Sequence, residues 1–330
     1  MPRNEQVLLA LILAGMGAAA ASAAGTAPAT DAMGPLRLGG ALPLGGLMLG
    51  VVACGDKDDD SGDTGDGGTG DGGGGDGGGS PPGDGGTGRP FTVADEIRTA
   101  PVAHRRDWVG PADIDLAGLD AAARATLVRH FLAMAAGEHA SVASFHRVAL
   151  ELLHLGAPPQ LMLDTHQAAS DEIRHAQVAF GLAERFSGQA HGPGPLDVRG
   201  ALDVDLSPQG VMRRLVDEAC VGETISALWL REACQRTADP ALTAMLGGIA
   251  QDEENHAALG WRTLRWLLGQ HPELRSEARQ RIEGHYAAAW NAGTAGDELE
   301  PFGRLAARTR EAVRERAFLQ VILPATSALG

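Results

Sequence analysis

Two short stretches of the chain carry nearly the same polar residues. Asp171-Glu172-Ile173-Arg174-His175 is matched by Asp252-Glu253-Glu254-Asn255-His256. Upstream of each lies a second matched pair: Gly137-Glu138, with Ser141 three residues after the glutamate, and Gly222-Glu223, with Ser226 likewise. On a helix, residues i and i+3 share a face. Glu172 and His175 can therefore address one point, as can Glu253 and His256. Glu138 and Glu223 would approach from two other helices. Four carboxylates and two imidazoles in the order Glu, Glu-x-x-His, Glu, Glu-x-x-His are what a four-helix bundle needs to hold two metal ions. Oxygen-rich ligation with two imidazoles suits iron or manganese. Each metal would take one terminal carboxylate and one histidine, and two carboxylates would bridge the pair. The charge pattern makes sense only with metal, because four desolvated carboxylates repel one another.

These residues need long helices to position them, and the sequence predicts such helices. The first spans about 120–155 and stops at Gly156-Ala157-Pro158-Pro159; the second follows to about 187. A loop with Gly192-Pro193-Gly194-Pro195 comes next. Ser207-Pro208 opens a third helix as N-cap and first-turn proline, and Asp239-Pro240 repeats that start signal after about 237. The fourth helix runs to about 268, a fifth spans about 272–292 and a sixth about 301–318. No segment alternates with period two for long, so no sheet is expected. Short links between helices one and two, and between three and four, predict two antiparallel hairpins. A connection of about 20 residues between two and three is long enough to cross the bundle. Each hairpin carries one Glu and one Glu-x-x-His, which reads as an internal duplication about a pseudo-two-fold axis. The expected fold is all-α: a four-helix bundle plus two C-terminal helices, with residues 90–119 as an irregular strap.

Asp171-Glu172-Ile173-Arg174-His175 resembles the Asp-Glu-x-Arg-His motif of the ferritin-like di-iron carboxylate superfamily, which bacterial multicomponent monooxygenases and acyl-carrier-protein desaturases share. The likeness covers roughly residues 120–270 in motif and topology. It implies that Glu138, Glu172, His175, Glu223, Glu253 and His256 are ligands to two iron ions, or a mixed Mn/Fe pair. It also implies that Asp171 and Asp252 each orient the opposing histidine through its second nitrogen. Asn255 stands where the second motif usually has Arg, so the match points to the superfamily rather than to one enzyme in it.

Other polar residues rank lower. Glu218 lies five residues before Glu223, off its face on an α-helix, and is expected to be solvated or behind the ligands. His139 should point away from the site, whereas His146 and His166 are expected nearer the interior. Ser141 and Ser226 share a face with their upstream glutamates and either hydrogen-bond a carboxylate or pack as small residues. Tyr286, the only tyrosine, lies outside the motif, which argues against a stored tyrosyl radical. Trp229, Trp261 and Trp266 read as core.

Composition sets the remaining boundaries. Residues 55–88 are almost wholly Gly, Asp, Ser, Thr and Pro, with nine Asp against Lys57, and supply about half of the formal charge of −15. Such a segment has no apolar residue to bury and is expected to be a disordered linker spanning about 30–35 Å. The acidic balance excludes nucleic acid as a partner, since phosphate binding needs clustered Lys and Arg. Before the linker, the apolar run 35–53 ends in Val51-Val52-Ala53-Cys54-Gly55 and resembles a bacterial lipoprotein signal. That resemblance implies cleavage before Cys54, acylation of its thiol, and a lipid-anchored position at the cell envelope facing the periplasm or exterior. A second apolar run, 7–24, precedes it, so the true start is either Met1 or Met33. The domains expected are thus a targeting segment 1–53, a Cys-anchored linker 54–90 and a helical domain 91–330. Cys220 and Cys234 lie on one expected helix about 21 Å apart, too far to bridge.

The function expected is a dinuclear metal oxidoreductase activating dioxygen or peroxide, with organic substrate and electron donor open. The alternative is an envelope-tethered iron-binding or buffering module without turnover.

Overall fold

The computed structural model describes residues 3–24 and 89–330. Cys54, the linker and the cleavage sites expected near it lie outside the described residues. The described part is all-α apart from two minimal strand pairs.

Local chemistry sets the ends of the long helices. α2 (Ala121–His154) starts where the Asp120 side chain accepts the Ala123 N–H, and it ends before Gly156, whose φ is +70°. α3 (Pro159–Ser187) begins on its own proline and closes at Gly188 in the left-handed conformation. Residues 188–207 then run without helix to Ser207, which caps α4 (Pro208–Arg214). The helix does not break there. It passes through a π-helical segment, Leu215–Glu223, and continues as α5 (Thr224–Arg236). Asp239 accepts the Ala241 and Leu242 N–H groups and starts α6 (Pro240–Gln270). α7 (Arg275–Ala287), α8 (Ala307–Ala317), a second π segment (Phe318–Ile322) and α9 (Leu323–Ser327) complete the chain. These bounds follow the expected helices closely, and the sixth extends beyond expectation to Ser327.

α2 packs along α3, and the π segment and α5 pack along α6, while α3 also meets α6. Gly260 on α6 permits one close approach: a Cβ there would stand 2.5 Å from the Ala219 Cβ of the π segment. That contact brings the helix bearing Glu253 and His256 against the segment bearing Glu223. The apolar core lies on either side of this seam. One cluster gathers Phe131, Phe180 and Leu246; another gathers Trp261, Leu264 and Phe318.

Two details depart from the sequence reading. Strands do occur: β1 (Thr92–Val93) pairs with β2 (Glu96–Ile97), and β3 (Val102–Ala103) pairs with β4 (Gly192–Pro193), both antiparallel. Ladders of two residues leave no alternation to read. Through the second, the strap before α2 is joined to the 188–207 crossing.

The other departure is α1 (Arg3–Ala24). Leu8, Ile12 and Met16, spaced along one helical face, are fully buried in the same cluster as Trp261, Val321 and Ile322. Glu5 beside them is buried and pairs with Arg316 Nε at 2.8 Å. No helix among the described residues is long and apolar enough to cross a membrane. Removing residues 1–25 uncovers the surfaces beneath three buried side chains, a loss of about 5 kcal/mol. The truncated chain is therefore expected to melt about 10 °C or more below the full chain in a thermal scan. An unchanged Tm would mean that α1 is no part of the folded unit.

Candidate metal centre

Glu138 comes from α2, Glu172 and His175 from α3, Glu223 from the last position of the π segment, and Glu253 and His256 from α6. All six are at most 2 % exposed. The ligand atoms of Glu138, Glu172, His175 and Glu253 lie within 4.8 Å of one another, and so do those of Glu172, Glu223 and His256. Glu172 belongs to both groups. Its Oε2 is 3.6 Å from His175 Nδ1 and its Oε1 is 3.2 Å from His256 Nδ1. Glu253 sits likewise between the two rings: its Oε1 is 3.3 Å from His175 Nδ1 and 3.6 Å from His256 Nδ1. Glu138 stands at the His175 end, 4.0 Å from Nδ1. The structure thus brings together all six residues singled out from the sequence.

The donor set fits metal ions. Buried polar atoms are nearly always hydrogen-bonded, yet both carboxylate oxygens of Glu172, Glu223 and Glu253 and the Nδ1 of both histidines have no hydrogen-bond partner. These atoms converge on one interior space. Cations held between them would satisfy these atoms together, which a single side-chain donor does not.

The far nitrogen of each ring is held by the other hairpin. His175 Nε2 donates to Asp252 Oδ2 at 3.2 Å, and His256 Nε2 donates to Asp171 Oδ2 at 3.3 Å. Each motif's aspartate therefore orients the other motif's histidine, which turns Nδ1 inward. Arg174 pairs with Asp171 and lies 3.7 Å from Asp252. One arginine serves both aspartates, so Asn255 leaves no cation missing; it is exposed. This polar face opens on a cavity of about 660 Å³ between α1, α3 and α6, lined by Leu11, Gln167, Arg174, Asp252, His256 and Arg262.

Protonation shows how the cluster balances its charge. Burial pushes Glu138 well above the usual carboxylate range, and Glu172 and Glu253 push it further. Burial and Glu253 do the same to Glu223. Glu172 and Glu253 also feel burial, but the two imidazoles beside them hold both below that range. Burial alone would discharge the histidines. The carboxylates around them reverse this and raise both well above the usual imidazole range, with Asp252 acting first on His175 and Asp171 on His256. Protons on Glu138, Glu223 and the two histidines are thus favoured when no other positive charge is near, and they compete with cations for the same atoms.

Sequence reasoning missed Arg89, Arg147, Glu151 and Arg214, which stand behind the ligands. Of the two places expected for Glu218, the structure gives the one behind the ligands: it is buried, and its Oε1 accepts from Arg147 Nη2 at 2.8 Å. The reason is the π segment, in which i→i+5 bonding brings residues five apart onto one side. Glu151 and Arg214 extend the same buried row, paired at 2.8 Å. Arg89, 2 % exposed, places Nε 3.5 Å from Glu223 Oε1 with its guanidinium over the Phe145 ring. No local pattern announces it, since it follows directly on the glycine-rich segment. His146 and His166 prove exposed rather than interior, because their positions face away from the α2–α3 seam. His139 is half-buried and edge-on to Trp108. Ser141 neither packs idly nor meets a carboxylate; its hydroxyl donates to the Arg89 carbonyl at 2.7 Å. Ser226 is buried, Trp261 is fully buried, and Trp229 and Trp266 pack on the core. Tyr286 packs its ring at a tilt against Phe318, on an element that carries none of the six residues. Cys220 and Cys234 are free thiols.

Comparison of the chain with protein-family models, curated proteins and solved structures finds no match. Two outcomes check the site directly. Divalent metal must displace the protons just described, so affinity rises with pH while these groups titrate. Calorimetry in buffers of different ionisation enthalpy is expected to show net proton release on metal binding; binding with no release would contradict this competition. Asp171→Ala removes the acceptor that orients His256 and should weaken binding about 10–100-fold, with helicity by circular dichroism unchanged.

Proposed function

We propose that this chain is a ferritin-like dinuclear metal oxidoreductase, with Glu138, Glu172, His175, Glu223, Glu253 and His256 holding two iron ions, or one manganese and one iron. The observation that carries the reading is the placement of Glu172, one oxygen toward each imidazole, with Glu253 on the opposite helix setting its Oε1 between the same two rings. Two carboxylates between two histidines suit a pair of ions, whereas a single ion would leave one imidazole without a partner. Oxygen and imidazole donors favour iron or manganese over thiolate-preferring metals. Iron held by these six residues would supply the electrons that reduce dioxygen or peroxide. Glu138 and Glu223 would be the terminal carboxylates. Asp171 and Asp252 keep the imidazoles aimed, and the surrounding apolar side chains exclude bulk water. The groove of α3 and α6 beside His256, which α1 covers in the full chain and cleavage before Cys54 would open, offers an organic substrate a place next to the centre, with Arg174 and Arg262 at its wall.

The tether at the bacterial envelope is a further part of the proposal and rests on sequence alone, on Cys54 and the apolar run before it. Cleavage there would remove α1 and uncover the surface it packs on. Mass spectrometry of the native protein is expected to find a lipidated Cys54 at the mature N-terminus; peptides from residues 4–17 in that protein would contradict cleavage.

Glu172→Ala combined with Glu253→Ala is expected to abolish binding of both ions, measured by metal analysis after anaerobic Fe(II) loading; full stoichiometry in that variant would refute the ligand assignment. An oxidoreductase consumes dioxygen repeatedly when supplied with an electron donor. Consumption that stops in proportion to the added Fe(II) would support the buffering module in its place.

A further inference from the structure

The two ends of the cluster share their ligand types but not their surroundings. At one end four residues converge, Glu138, Glu172, His175 and Glu253; at the other, three, Glu172, Glu223 and His256. The three-residue end also carries a fixed positive charge. Arg89 Nε stands 3.5 Å from Glu223 Oε1, while the neighbours that bear most on Glu138 are the carboxylates of Glu172 and Glu253.

The arginine is not free to swing away. It is 2 % exposed, and its guanidinium lies 4.6 Å from the Phe145 ring centroid. Its backbone is stitched to one face of α2: Ser141 Oγ donates to the Arg89 carbonyl at 2.7 Å, Ser144 Oγ to that of Pro90 at 2.9 Å, and Arg147 Nη1 to that of Thr92 at 2.6 Å. A guanidinium keeps its charge at any pH the fold survives. Its Nε and Nη1 have no hydrogen-bond partner; Glu223 is the carboxylate it pairs with, while the buried Glu218 and Glu151 also feel its charge.

We infer that Arg89 makes the two metal positions unequal, so that the position at Glu138 and His175 fills first and the position at Glu223 and His256 fills second and more weakly. The inference rests on the metal-centre reading above and deepens it. A cation arriving at Glu223 must share that carboxylate with a guanidinium that cannot leave. Like charges a few ångströms apart in a poorly screened interior are worth more than about a tenfold change in affinity. The strap that bears Arg89 thereby acts as a positioning element for the second ion, although it supplies no ligand.

Titration of the full chain with Co(II) alone, followed by visible absorption and equilibrium dialysis, tests this. The wild type should bind two ions in two steps at least about tenfold apart. Glu138→Gln should remove the tight step and Glu223→Gln the weak one. Arg89→Met, of similar reach but neutral over Phe145, should tighten the second step about tenfold and leave the first within about threefold. Arg89→Lys, which keeps the charge, should retain the weak second step. Two ions bound in one unresolved step, loss of the tight step in Glu223→Gln, or equal tightening by Met and Lys would overturn the inference while leaving the metal centre intact. No Co(II) bound by any variant would instead refute the metal-centre reading. Circular dichroism checks that Arg89→Met folds; if it does not, the wild-type gap and the two glutamine variants decide.

Discussion

A carboxylate removed from water demands positive charge or hydrogen-bond donors close by, and this chain buries Glu138, Glu172, Glu223 and Glu253 around one interior point. Much else in the domain follows from that demand. The two histidines supply part of the charge and are held by aspartates from the opposite hairpin. Arg174 spans those aspartates, and Arg89 and Arg147 approach from behind. The seam between α6 and the π segment is narrow because Gly260 allows it. Without that approach, Glu223 would not reach the point that Glu253 and His256 address. Fold and site are therefore one problem here, since the helices cannot pack closely unless the charge between them is balanced.

How much of this was legible in the sequence differs by element. Two helix starts were legible because Ser207 and Asp239 announce them with side chains that accept backbone N–H groups, each beside a proline. The grouping of the six polar residues was legible because i, i+3 spacing on a helix is strict geometry. The π segment was not, because its apolar pattern passes for an α-helix, and Glu218 was therefore left open between solvent and the row behind the ligands. Arg89 was invisible for another reason. Its partners, Glu223 and Phe145, are distant in sequence, and no local periodicity marks a single strap residue. The exposed His146 and His166 show the converse, since a histidine on an amphipathic helix faces wherever the packing leaves it.

The N-terminal region poses the sharpest contest between two readings. An apolar, alanine-rich helix at the start of a chain has the composition of an export signal and also that of a core helix. α1 buries Leu8, Ile12 and Met16 and pairs Glu5 with Arg316, contacts that a cleaved signal would forfeit. The lipoprotein-like run ending at Cys54 lies in a separate stretch of sequence and makes its own case. A chain starting at Met33 would carry that run without α1.

The central claim is that the buried cluster holds two metal ions, and metal content measures it most directly. The full chain, purified in low oxygen and loaded anaerobically with Fe(II), is expected to carry about two iron or manganese ions per chain by inductively coupled plasma mass spectrometry, falling to none in Glu172→Ala/Glu253→Ala. A wild-type protein that is helical, folded and metal-free after loading would contradict the account.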